Sequence, residues 1–184
     1  MNIRKIILLS CFIGASLPLS FAAETAQKNT TDTFVLGPEM PSDFGFRYEY
    51  GIGGFQVLDT IQGTLTVDLL GNGRPSVPLK ATKADLQLVF DALKKNKFDQ
   101  VPEELQTKMT VTPSTRYRLT IWSDQRQKTF SSHDVGYSTA NDSNTRAWKK
   151  IIEVMDKVLS NHYLFDEDLK RELKKLPPQL GAYE

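Results

Sequence analysis

The stretch that decides the fold is Phe44–Leu70, FGFRYEYGIGGFQVLDTIQGTLTVDLL. Phe44, Phe46, Tyr48 and Tyr50 alternate with Gly45, Arg47, Glu49 and Gly51. A period of two places successive side chains on opposite faces of a strand. Ile61, Leu65, Val67 and Leu69 continue the pattern against Gln62, Thr64, Thr66 and Asp68. The reading is two long strands joined by a turn at Gly51, Gly53 and Gly54, where glycine reaches positive φ without strain. A dinucleotide-binding loop is excluded for this glycine cluster, because GxGxxG must open a helix and GIGGFQ leads into a strand. A two-stranded ribbon does not hold in water by itself, so later segments must cover its apolar face.

Those segments are visible downstream. Gly71-Asn72-Gly73 is a turn, and Ser76–Lys80 is a short strand held to a sheet edge by Pro75 and Pro78. Thr82 followed by Asp85 resembles a capping box, and Leu86, Val89, Phe90 and Leu93 recur at i, i+3, i+4 and i+7, which predicts a helix over Lys83–Lys95. Lys94, Lys95 and Lys97 fit its C-terminal end, where cations complement the helix dipole. Thr115–Ser123 reads as a strand with Tyr117, Leu119 and Ile121 on one face and Arg116, Arg118, Thr120 and Trp122 on the other. Asp124-Gln125 is its turn and Arg126–Ser132 its partner, with Phe130 central. A long helix follows, capped by Asp142 or Ser143, with Trp148, Ile151, Ile152, Met155, Val158, Leu159 and His162 in its stripe. A short one over Glu167–Leu176 is capped by Asp166 and stopped by Pro177-Pro178. The order predicts an α+β domain: a mostly antiparallel sheet of four or five strands with two or three helices packed on one face.

The N-terminus reads as a secretory signal over residues 1–22, with Arg4 and Lys5, an apolar Ile6–Leu19, and Ser20-Phe21-Ala22 before a cut after Ala22. The run is too short and too broken by Gly14 and Pro18 for a spanning helix, so no transmembrane segment is expected in the mature chain. The alternative is a lipoprotein anchored at Cys11 in Leu8-Leu9-Ser10-Cys11. The preferred cut removes the single cysteine and two positive charges from a chain of net charge +1. That leaves a periplasmic or secreted protein without disulfide or thiolate chemistry, and too close to neutral for general nucleic-acid binding. Residues 23–37 read as a disordered leader, and 38–184 as one domain.

Catalytic patterns are scarce. Ser132-His133-Asp134 has the letters of a hydrolytic triad, but neighbours on an extended chain point to opposite faces, and a triad is assembled from separate elements. His162 belongs at a helix end, where it serves the helix. Asp59 and Asp68, a conceivable carboxylate pair, fall on opposite parities of what reads as one strand. No HExxH, no calcium loop, no GxSxG and no P-loop occurs. The sequence therefore assigns no catalytic, metal or cofactor-binding residue, no cofactor is expected, and enzymatic activity is disfavoured. What remains distinctive is a polar strand face with an aromatic beside arginines. Arg47, Thr64, Thr66, Asp68, Arg118 and Trp122 form the candidate protein-contact surface, and a free sheet edge offers strand addition.

Pro41-Ser42-Asp43-Phe44-Gly45-Phe46, Tyr50-Gly51, Asp59-Thr60 and Gly63-Thr64-Leu65-Thr66-Val67-Asp68 resemble the ribbon of a group of uncharacterised exported bacterial proteins, as do Lys94–Phe98 and Leu176–Tyr183. The resemblance spans most of Pro38–Tyr183 and implies an exported protein, with no activity to carry over. The order of elements and Gly53-Gly54 are similar to the emfourin-type inhibitors of metalloproteases. The expectation is a non-enzymatic binding module of the bacterial cell envelope that meets a protein or envelope component. Inhibition of a secreted protease and a small envelope hydrolase are the alternatives.

Overall fold

The computed structural model describes residues 34–179 except Met109. The signal sequence, Cys11 and the end of the tail lie outside the described residues. Among the described residues seven strands form one sheet: β1 (Gly45–Tyr50), β2 (Gln56–Asp59), β3 (Thr64–Thr66), β4 (Ser76–Pro78), β5 (Glu104–Leu105), β6 (Arg116–Ser123) and β7 (Arg126–His133). Their spatial order is β4-β3-β2-β1-β6-β7-β5. Three α-helices among the described residues complete the α+β fold: α1 (Lys83–Lys95), α2 (Ser143–Phe165) and α3 (Glu167–Leu173).

The sheet is larger than four or five strands and is mixed. All neighbours pair antiparallel except β5, which runs parallel to β7. Two residues are too few to show a period, so β5 leaves no trace in the sequence pattern. The second long strand of the Phe44–Leu70 reading is in fact β2 and β3 with a turn between them. Ile61 keeps the alternation running through that turn and conceals it. The turn is closed by Asp59, whose Oδ1 accepts from the N–H of Ile61 (3.0 Å) and of Gln62 (2.9 Å). Thr60 fixes its start, accepting from Phe46 N–H at 2.8 Å and donating to Phe46 O at 2.9 Å.

The helices follow local chemistry. Thr82 and Asp85 form a full capping box on α1, and the Asp142 carboxylate caps α2 by accepting from Asn144 and Thr145 N–H. Asp166 caps α3. The core lies between the helices and one sheet face. Phe46, Tyr48, Leu58, Leu65, Val77, Leu119, Ile121 and Phe130 are buried with Val89, Phe90, Leu93, Trp148, Ile151, Met155 and Val158. Phe98 joins the two layers, edge-on to both Phe130 (4.8 Å between centroids) and Trp148 (5.0 Å). Phe34 and Leu36 are also buried in this core. The packed chain thus includes Phe34 and Leu36, which fall within the 23–37 stretch expected to be a leader.

Candidate functional site

The sheet face opposite the helices is built by the other parity of the same strands. Strand register arranges it in rows. One row runs Pro78, Thr64, Asp59, Arg47, Thr120, Thr129, and the next Ser76, Thr66, Val57, Glu49, Arg118, Ser131. A third pairs Gly45 with Trp122 and Trp122 with Gln127. Long side chains from adjacent rows therefore meet. Arg47 Nε donates to Glu49 at 3.2 Å and Arg47 Nη1 to Asp59 at 3.1 Å, while Arg118 lies 3.6 Å from the second Glu49 oxygen. Thr120 and Thr129 share a hydrogen bond of 3.0 Å beneath them.

Of these, Arg47, Glu49, Arg118, Thr120, Trp122, Thr129 and Ser131 line a shallow concavity of about 550 Å³, together with Glu103, Glu104 and Gln127. Half-exposed ion pairs of this kind contribute only about 0–1 kcal/mol each. Their effect is to hold three charged heads in a fixed pattern on an open surface. Beyond Arg47 the face ends in apolar atoms. Gly45 has no side chain because Ile61 Cδ1 would stand 2.3 Å from its Cβ, so Ile61 lies over Gly45 on the same face as Trp122. Ile61 is 56% exposed and Trp122 half-buried. An apolar end against a polar, ion-paired floor is the make-up of a protein-contact patch.

The structure brings together three of the six predicted surface residues, Arg47, Arg118 and Trp122. Thr64 and Thr66 share their face but are separated from β6 by two strands, β2 and β1, and lie outside the concavity, where Thr66 is hydrogen-bonded to Ser76 at 2.7 Å. Asp68 does not belong to this surface. It lies past the end of β3, is buried, accepts from Leu70 N–H at 3.1 Å and faces Arg74 at 3.8 Å. Arg74 in turn stacks over Phe55. The alternation that places Asp68 beside Thr66 ends with the strand. Ile61, Gln127, Thr129, Ser131, Glu103 and Glu104 also belong to this face and are not among the residues the sequence singles out. Gln127, Thr129 and Ser131 were recoverable from their parity opposite Phe130.

The remaining sequence candidates are occupied elsewhere. Ser132 is buried and donates its hydroxyl to Leu105 O at 3.1 Å, while His133 is exposed. Burial pushes the Asp134 carboxyl up, but the N–H groups of Thr115 and Val111 and the hydroxyls of Ser114 and Thr115 outweigh it and hold the group below the ordinary carboxylate range. Ser132 and Asp134 thus serve separate neighbours. His162 bridges Asp85 (Nε2, 3.1 Å) and Asp166 (Nδ1, 3.3 Å). Among the described residues no group of three or more His, Cys, Asp or Glu is arranged around a metal position, and no helix is long and apolar enough to cross a membrane.

Fold and face together define a class only, an α+β domain with one sheet face buried under helices and the other displaying an ion-paired polar surface. No protein-family model matches the chain, and no curated protein matches it.

Proposed function

We propose that the protein is an exported, non-enzymatic binding domain of the bacterial envelope, and that it meets a protein partner through its helix-free sheet face. The observation that carries this reading is the Arg47–Glu49–Arg118 network set beside Trp122 and Ile61. Arg and Trp are the residues most enriched among interface anchors. With Asp59 included, the two arginines meet two carboxylates and the charges balance, which suits the mixed polar surface of a polypeptide better than a phosphate-rich ligand. Trp122 supplies the area to be desolvated, and the ion pairs fix register around it.

The test places a photoreactive side chain at Gln127, on this face, and a control at Lys150 on α2. Illumination in the native cell envelope is expected to give one recurrent adduct from position 127 and none of the same mass from position 150. Trp122→Ala combined with Arg118→Ala removes the adduct while leaving a cooperative melt. An adduct that survives the double substitution, or that forms equally from position 150, overturns the assignment of this face.

A further inference from the structure

The concavity on the open sheet face carries opposite charges on its two banks. Register places Glu49, Arg118, Ser131 and Glu104 in one row across β1, β6, β7 and β5, and all four line the concavity. Two strand spacings, about 10 Å, therefore separate the Cα positions of Arg118 and Glu104. The two do not pair. Arg118 turns instead toward Glu49, with Nη1 3.6 Å from Oε2.

Hydrogen bonding shows what each bank lacks. Arg47 is satisfied, with Nε on Glu49 at 3.2 Å and Nη1 on Asp59 at 3.1 Å. Arg118 is not. Its contact with Glu49 is too long for a hydrogen bond, and it donates none among the described residues. A guanidinium holds five donors in a planar fork, and this side chain is 38% exposed. On the other bank Glu104 is exposed, has no ion-pair partner among the described residues, and accepts from the neutral amide of Gln106. Glu103 beside it lies 4.0 Å from the Lys128 ammonium. The floor between the banks is uncharged. Thr120 and Thr129 bond to each other, and the Ser131 hydroxyl reaches Glu103 O at 3.4 Å.

We propose that the polypeptide met by this face is an extended segment carrying both signs, with a carboxylate for Arg118 and, two residues along, a lysine or arginine for Glu104 and Glu103. The inference rests on the reading of this face as a protein-contact surface and names the chemistry of the partner. Arg118 takes the carboxylate through two parallel N–H donors. Side chains two residues apart on an extended chain share a face about 7 Å apart, and a flexible lysine stem spans the remainder. A uniformly acidic segment is repelled by Glu103 and Glu104, and a uniformly basic one by Arg47 and Arg118.

The test is a titration of ¹⁵N-labelled full-length protein at low ionic strength, following the amides of Arg118 and Ser131 and the indole of Trp122 by NMR. The probes are four N-acetylated, amidated peptides: Leu-Glu-Ser-Lys, Leu-Gln-Ser-Lys, Leu-Glu-Ser-Gln and Leu-Gln-Ser-Gln. Saturable shifts are expected with the first, and removal of either charge weakens binding by about tenfold. Arg118→Gln is expected to cancel the preference for glutamate in the peptide and leave the preference for lysine. Glu104→Gln does the reverse. Equal affinity for the four peptides, no saturation with any, or preferences that persist in both variants overturns the proposal. If Arg118→Gln lowers the melting temperature, Glu104→Gln, at an exposed position of a two-residue edge strand, must cancel the lysine preference by itself or the proposal fails. The Gln127 photo-adduct separates the two readings. An adduct together with indifferent peptides leaves the face assigned and overturns only the charge pattern, whereas absence of the adduct overturns the face.

Discussion

Four donors converge on the carboxylate of Asp134: the N–H of Val111 (3.3 Å), the hydroxyl of Ser114 (3.1 Å), and the N–H (2.7 Å) and hydroxyl (3.2 Å) of Thr115. Asp134 itself has φ +52° and is buried. It closes β7 and ties the loop before β6 to it. Asp134→Asn keeps the size but turns an amide N–H₂ toward donors, and leaving such groups unpaired costs about 1–3 kcal/mol. The urea midpoint at neutral pH is expected to fall accordingly. The sign with pH follows from the depressed folded pKa. The contribution is complete above the unfolded value, the ordinary carboxylate 3.8, and is lost as pH falls through that value toward the folded one. The gap between parent and variant should therefore narrow as pH falls below 3.8. A gap that stays constant or widens on acidification would show that the effect is steric. Asp43 and Asp142, held down by the N–H groups of Gln125 and Thr145 respectively, act in the same direction. Asp43 also explains part of the Pro41–Phe46 motif, since its two oxygens accept from Asp124 and Gln125 N–H and fasten the β6–β7 turn, whose residues both have positive φ.

At the scale of elements, legibility followed how local the cause was. Helices α1, α2 and α3 carry their caps and stripes within a dozen residues of sequence, and α1 begins and ends where the pattern places it. The β6–β7 hairpin was equally plain, because alternation and turn residues agree. The β2–β3 turn was hidden because its cause is side-chain to backbone hydrogen bonding by Asp59 and Thr60, with an apolar Ile61 holding the period. The concave face was half legible: parity gave Arg47, Arg118 and Trp122, but only the neighbour order of strands shows that Thr64 and Thr66 stand apart from them. His162 is an element-scale joint of the same non-local kind. It links Asp85, already engaged by Thr82 N–H and hydroxyl at the head of α1, to Asp166 at the head of α3. His162→Ala is expected to cost about 1–3 kcal/mol, since two part-buried carboxylates lose a partner. Hydrogen exchange should localise the damage, with amides of Leu169–Leu173 opening faster relative to those of β6. Uniform acceleration across the chain would mean that the histidine acts only as core filling.

For the whole molecule the governing fact is that one sheet face is buried under helices and the other is open, so under the proposed function stability and recognition should be open to separate perturbation. The helix-covered face extends to Phe34 and Leu36, 6% and 8% exposed, and their segment is fastened further by Arg126 Nη2 to Val35 O (3.4 Å) and by the Lys94 ammonium to Pro38 O. Burial of a Phe or Leu side chain is worth about 1.5–3 kcal/mol each, an upper estimate because a compact unfolded chain hides part of that surface already. Phe34→Ala adds a cavity term, for a total of about 3–5 kcal/mol. In a chain of this size each kcal/mol moves Tm by about 2–4 °C, so the variant should melt at least about 6 °C below the parent. Because Phe34 belongs to the opposite side of the sheet from Trp122, the Gln127 photo-adduct should form normally at temperatures where the variant is still folded. A Phe34→Ala protein that melts with the parent would detach this segment from the core and return the domain boundary to residue 38. One that melts low but also loses the adduct would show that the sheet transmits strain from its buried face to its open one, and that stability and recognition are coupled after all.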